Sequence, residues 1–159
     1  VRKVSAGSQV GYPISSANIV GRTDGNAPAT GMVGEEIVSR SGAYANFGGT
    51  TVMGDVVSVV LTPGDWVLNA NLTFFLNGAT QTNWSGFIGT VSGNNTTGRV
   101  DSESFWGGAV PAAQSFASGA IAGYTVRPTS TTTYYLKAVA TYSAGTPQLV
   151  GRLSAIRKA

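Results

Sequence analysis

Between Trp66 and Asn77 the side chains alternate. Trp66, Leu68, Ala70, Leu72, Phe74 and Leu76 interleave with Val67, Asn69, Asn71, Thr73, Phe75 and Asn77. A period of two marks a β-strand with one apolar and one mostly polar face; on a helix, neighbours on one face recur every three or four residues. Such a strand needs partners beside it and a second layer over its apolar face. The same period returns where Tyr134, Leu136, Ala138, Ala140 and Tyr142 alternate with Tyr135, Lys137, Val139 and Thr141. It returns again with Leu149, Leu153 and Ala155 set against Arg152, Ser154 and Ile156.

Shorter strand signals fall at about 35–40, 43–47, 56–61, 84–91 and 119–127. Between them stand turn formers. In Thr62-Pro63-Gly64-Asp65 the proline sets φ at the second position and the glycine supplies a positive φ at the third. Asn77-Gly78 is the commonest hairpin dipeptide and ends the first strongly periodic strand. Residues 92–99 read as a polar loop, 128–132 as a turn and 143–148 as a loop. Residues 100–118 have no clear period, and their Phe105-Trp106-Gly107-Gly108 reads as exposed loop. About eight strands at short spacing predict an all-β fold, an antiparallel β-sandwich or jelly roll. Residues 1–30 lack a period and are turn-rich, so an extended N-terminal arm or neck is expected there, with the sandwich over 31–159.

The chain has 159 residues, which fits one domain with a sizeable core. It is 42% hydrophobic and only 11% charged, against about 25% charged in an ordinary soluble domain. Ser, Thr, Asn and 22 glycines make the surface instead. The opening Val1-Arg2-Lys3-Val4 has neither a methionine nor the apolar run of a signal peptide, so a processed chain or a fragment is expected. No apolar run is long enough for a membrane-spanning helix, and no membrane insertion is expected. The net charge of +3 comes from scattered basic residues, with only Arg2-Lys3 and Arg157-Lys158 adjacent. A nucleic-acid footprint clusters its charge, so no nucleic-acid partner is expected.

The sequence holds no histidine and no cysteine. That removes the Ser-His-Asp triad, the thiol nucleophile and the thiolate metal site. No phosphate-cradling glycine loop occurs. Asp101 and Glu103 could sit about 7 Å apart on one strand face, a separation a glycosidase could use. Solvated loop carboxylates are the plainer reading. No enzyme activity, cofactor or metal is expected. Trp66 and Phe74 belong to the core face. Trp84, Phe105 and Trp106 lie near loops, where flat rings stack on sugar C–H groups while polar neighbours meet the hydroxyls. The alternative is packing at a subunit interface or over the sandwich end. The candidate ligand-binding residues are therefore Trp84, Asn94, Asn95, Arg99, Asp101, Glu103, Phe105 and Trp106, in the loop segments 78–84 and 92–108, with 143–148 beside them.

Four segments carry a resemblance: Gly34-Glu35-Glu36-Ile37, Leu61-Thr62-Pro63-Gly64-Asp65-Trp66, Thr131-Thr132-Thr133-Tyr134-Tyr135-Leu136-Lys137-Ala138 and Gly151-Arg152-Leu153-Ser154-Ala155-Ile156-Arg157. In this order they resemble the C-terminal domain of bacteriophage tail-fibre and virion structural proteins, over residues 31–159. The chain departs from that pattern at Val67-Leu68, where Asp-Val is usual, and at Ile156. The resemblance implies a compact β-sandwich in the virion that associates as a homotrimer, and it carries over no catalytic residue. Val67, Phe75, Tyr135 and Val139 fit association, since they put apolar groups on outer faces. The expected role is a tail-fibre tip that binds a host cell-surface polysaccharide, with residues 1–30 meeting other virion proteins. The rival is a capsid decoration, head fibre or tail-assembly protein with no receptor role; a depolymerase ranks last.

Overall fold

The computed structural model describes residues 26–42, 45–46, 51–93, 99–107 and 115–158. Of the expected arm, only 26–30 fall among them, and these form neither strand nor helix. The described residues are all-β: β1 Glu36–Arg40, β2 Ala45–Asn46, β3 Gly54–Leu61, β4 Trp66–Phe75, β5 Thr80–Gly89, β6 Arg99–Gly107, β7 Phe116–Val126, β8 Thr132–Ser143 and β9 Gln148–Arg157. They build two antiparallel sheets. The first has the order β1-β9-β4-β7, with β2 also on β9; the second has the order β3-β8-β5-β6. Since β1 and β2 both lie along β9, they are two pieces of one edge strand.

The pairs are nested. Glu36 meets Ile156, Val57 meets Leu136, Trp66 meets Val126 and Gly86 meets Phe105. The two halves of the chain thus run alongside each other as one long hairpin, bent between β5 and β6. It is rolled so that β1/β9 and β4/β7 fall in one sheet and β3/β8 and β5/β6 in the other. The β4–β9 and β5–β8 ladders then complete each sheet. This is the strand order of an eight-stranded jelly roll.

The core is the set that the alternation marks. Trp66, Leu68, Ala70, Leu72 and Phe74 of β4 are buried, as are Tyr134, Leu136, Ala138 and Ala140 of β8. Leu149, Leu153 and Ala155 join them, with Val59, Leu61, Trp84, Ile88, Ile121 and Val126. Each buried Leu or Phe contributes about 1.5–3 kcal/mol. The second sheet packs tightly on Gly151 of β9, where a Cβ would stand 2.7 Å from Val56 Cγ1 and 3.0 Å from Leu136 Cδ2. The outer-face residues Val67, Phe75, Tyr135 and Val139 are half-buried.

The Asn77-Gly78 turn forms, but not the hairpin expected of it. Both residues have positive φ, 47° and 81°, and the Ala79 N–H donates to the Leu76 carbonyl at 2.8 Å. These are the dihedral signs of the type I′ turn that such a dipeptide favours. Its two arms enter different sheets, β4 in the first and β5 in the second. The Pro63-Gly64 turn does the same between β3 and β4, with Gly64 at positive φ. Two further boundaries differ from expectation. β5 begins at Thr80, within the expected 78–84 loop, and 99–107 is a strand where loop and uncertain segment were expected.

Candidate functional site

The expected site residues are distributed unevenly. Trp84 stands within β5, opposite Ala140, and is 8% exposed. Its ring lies edge-on to Phe74 with centroids 5.6 Å apart. It packs in the core, because the strand begins earlier than the turn signals implied. Asn94 and Asn95 lie outside the described residues. Arg99, Asp101, Glu103, Phe105 and Trp106 are on β6, the edge strand of the second sheet, and not in a loop. The register sets Arg99 opposite Gly89, Phe105 opposite Gly86 and Trp106 opposite Ser85. The stretch Asp101-Ser102-Glu103-Ser104 hides this strand from a hydropathy reading, since an edge tolerates polar residues. Beside it, Asn83, Trp84 and Ser85 of β5 line a hollow of about 70 Å³ with Thr51, Val139, Ala140 and Thr141. Pockets that enclose a drug-sized ligand run to roughly 300–1,000 Å³; this hollow is far smaller.

Two charged clusters sit inside the fold, and the sequence reading assigned neither. At one end of the sandwich Glu35, just before β1, meets Arg157, at the close of β9. Arg157 Nε donates to Glu35 Oε2 at 3.0 Å, with the side chains 6% and 9% exposed. Its Nη1 donates to the Pro63 carbonyl at 2.8 Å and its Nη2 to Thr62 Oγ1. The guanidinium lies 4.1 Å from the centre of the Trp66 ring, a cation–π contact. Trp66 Nε1 in turn donates to the Thr62 carbonyl at 2.9 Å. Burial pushes the Glu35 carboxyl up. The Gly31 N–H at 2.7 Å and the hydrogen bond and charge of Arg157 outweigh that and hold it below its ordinary value.

The second cluster centres on Lys137 of β8. The alternation places it on the polar face, yet it is 0% exposed. Its Nζ donates to Asp55 Oδ1 at 2.5 Å, to the Gly93 carbonyl at 2.7 Å and to the Val91 carbonyl at 2.9 Å. Three donors thus meet three acceptors. Ser92 Oγ at 2.5 Å and the Gly93 N–H at 2.9 Å donate to Asp55 Oδ2. Burial raises the Asp55 carboxyl, but Lys137, Ser92 and Gly93 together hold it below its ordinary value. Residues 91–93 are thereby fastened over the outer face of the second sheet.

The outer face of the first sheet offers an open groove of about 230 Å³. It is lined by Arg40, Ser41, Asn71, Thr73, Val150, Gly151 and Arg152. The register explains why these residues meet. Arg40 of β1 faces Arg152 of β9, and Arg152 faces Asn71 of β4; Val150 faces Thr73 one row on. Ser41 Oγ is engaged by the Gly151 N–H at 2.8 Å. The sequence reading placed Arg152 on an outer face but passed over the groove, because lateral neighbours depend on register. Chemically the groove offers positive charge and neutral hydrogen-bonding groups, the means of holding a ligand.

Compared with protein-family models and with curated proteins, the chain matches none.

Proposed function

We propose that this chain is a non-catalytic component of a bacteriophage virion, the trimeric tip of a tail fibre, which holds the phage to a polysaccharide of the bacterial surface. One observation carries the reading. Gly34-Glu35, the Thr62–Trp66 turn and Arg157 meet at a single cluster. Three of the four segments on which the resemblance to fibre domains rests are therefore parts of one physical unit, which ties the start of the roll to its end. A likeness in those segments is a likeness in how the sandwich closes.

Association has its own support. Val38 and Ile156 are each 40% exposed on the outer face of the first sheet. They are diagonal neighbours across the β1–β9 ladder, and Ile156 faces the half-buried Val67. Contiguous apolar surface of this kind suits an interface between copies. Weak sugar contacts multiplied over three subunits, and over several fibres, would give firm attachment.

The test is competition for adsorption. The purified chain, added to host cells at saturating concentration, should block binding of the phage that carries it. Undiminished adsorption overturns the attachment role. Antibody labelling in electron micrographs should decorate the tail-fibre tip; label on the head would make the chain a capsid decoration.

A further inference from the structure

We propose that the groove on the outer face of the first sheet binds a carboxylated sugar polymer, whose carboxylate sits between Arg40 and Arg152. The inference rests on the attachment role and names the polymer class and the place. It moves recognition from the loops to a sheet face.

The register is the first argument. Arg40 and Arg152 are direct partners on antiparallel strands, so both side chains belong to one face. Like charges directly opposite each other destabilise a sheet, and the protein does little to relieve these two. Among the described residues Arg40 makes no ion pair. Arg152 has Glu36, whose Oε1 lies 3.5 Å from Nη2, with the side chains 41% and 47% exposed. An exposed pair at that distance is weak.

Hydrogen bonding is the second argument. Arg152 Nε is buried and meets no acceptor among the described residues. A guanidinium edge presents Nε and Nη as a planar fork, and a carboxylate fills both positions at once. The side chain as a whole is 41% exposed, so a rotation of the guanidinium would bring the orphan Nε–H outward, where one incoming carboxylate would satisfy it and separate the two cations.

The rest of the groove suits a sugar. Asn71 lies beside Arg152 and Thr73 beside Val150. Neither side chain is hydrogen-bonded within the described structure, so amide and hydroxyl are available to ring hydroxyls. Val150 supplies an apolar strip for a C–H face. At about 230 Å³ and open on its outer side, the groove takes a short stretch of polymer lying across the strands. Two arginines with Glu36 beside them make a poor track for a phosphate backbone, which needs an extended basic stripe.

The full chain would be tested by biolayer interferometry against polygalacturonate, its fully methyl-esterified form and dextran sulfate. Polygalacturonate should bind at least about tenfold more tightly than the ester, the scale expected for charge-assisted hydrogen bonds. Arg40→Gln and Arg152→Gln should each weaken it by about tenfold, and Arg152→Lys should fail to restore it because the fork is lost. Asn71→Ala and Thr73→Val should weaken it less, and they serve if an arginine variant does not fold. Lys158→Gln, the same charge change away from the groove, should leave binding intact. Several results would overturn the site: equal binding of acid and ester, equal or tighter binding of dextran sulfate, no binding of any probe, or an effect of Lys158→Gln as large as that of Arg152→Gln. A fall in oligomer mass in the double arginine variant would also do so, since it would assign the pair to an interface between copies. In the adsorption assay, a double variant that blocks as well as the unaltered chain overturns the groove and leaves the fibre-tip role standing. An unaltered chain that binds polygalacturonate but fails to block adsorption does the reverse.

Discussion

Among the described residues, Arg157 and Lys137 are the two cations most fully withdrawn from water. Each is surrounded by acceptors, so each is costly to strand. Glu35→Ala leaves a guanidinium with two neutral acceptors and a ring face, and should destabilise the chain by about 3 kcal/mol in urea denaturation. That is the low end of the roughly 3–5 kcal/mol for breaking a buried pair, because the cluster sits at the rim of the sandwich. Asp55→Ala should cost a similar amount, whereas Asp55→Ala combined with Lys137→Met should recover most of it. A double variant no more stable than Asp55→Ala would refute that account of the cluster. The pH dependence follows from the direction of the shifts. Both carboxyls titrate lower in the folded chain than in the unfolded one. Their stabilisation is therefore complete above the ordinary carboxylate values and is lost as pH falls through the lower folded values. Melting temperature should hold from neutral pH down to about pH 5 and then drop, and Glu35→Gln should flatten the drop.

Among the elements, β4, β8 and β9 were legible because their alternation is strong and their inner residues are apolar. The register between strands was not, and the groove depends on it. Lys137 shows the limit in one residue: the period gives its face correctly, but only Asp55 and residues 91–93 explain why that face is covered there. Asn77-Gly78 shows another. Turn chemistry dictates a tight reversal, but not whether the outgoing strand rejoins the same sheet. β6 was missed because an edge strand can be polar on both sides, and its aromatic pair read as loop. Two glycines carry predictions at this scale. Gly151→Ala drives a methyl into Val56 and Leu136 of the facing sheet, and should cost about 1–3 kcal/mol. Gly145→Ala should cost at least as much, because its Cβ would meet the Ala79 nitrogen at 2.9 Å and the Asn77 oxygen at 3.0 Å with φ at +66°. Val56→Ala should partly rescue Gly151→Ala, read as a regained denaturation midpoint, and should not rescue Gly145→Ala.

For the whole molecule, the proposed trimer predicts a mass near three times 16.2 kDa in sedimentation equilibrium. Ile156→Glu should shift it toward one subunit while the far-ultraviolet spectrum stays that of β-structure. A lone subunit at micromolar concentration would remove the trimer, leaving the sandwich itself untouched.

The position of β9 has a consequence for how such a chain is made. It lies between β1 and β4 and also carries β2, so residues 148–157 fill a gap in the middle of a sheet. Before residues 148–157 are made, β1 and β2 have no strand to pair with and β4 has only β7 beside it, and the bare edges stay open to other nascent chains for that interval. Deleting residues 148–157 would not yield a slightly smaller domain; it would leave a roll whose first sheet had never shut.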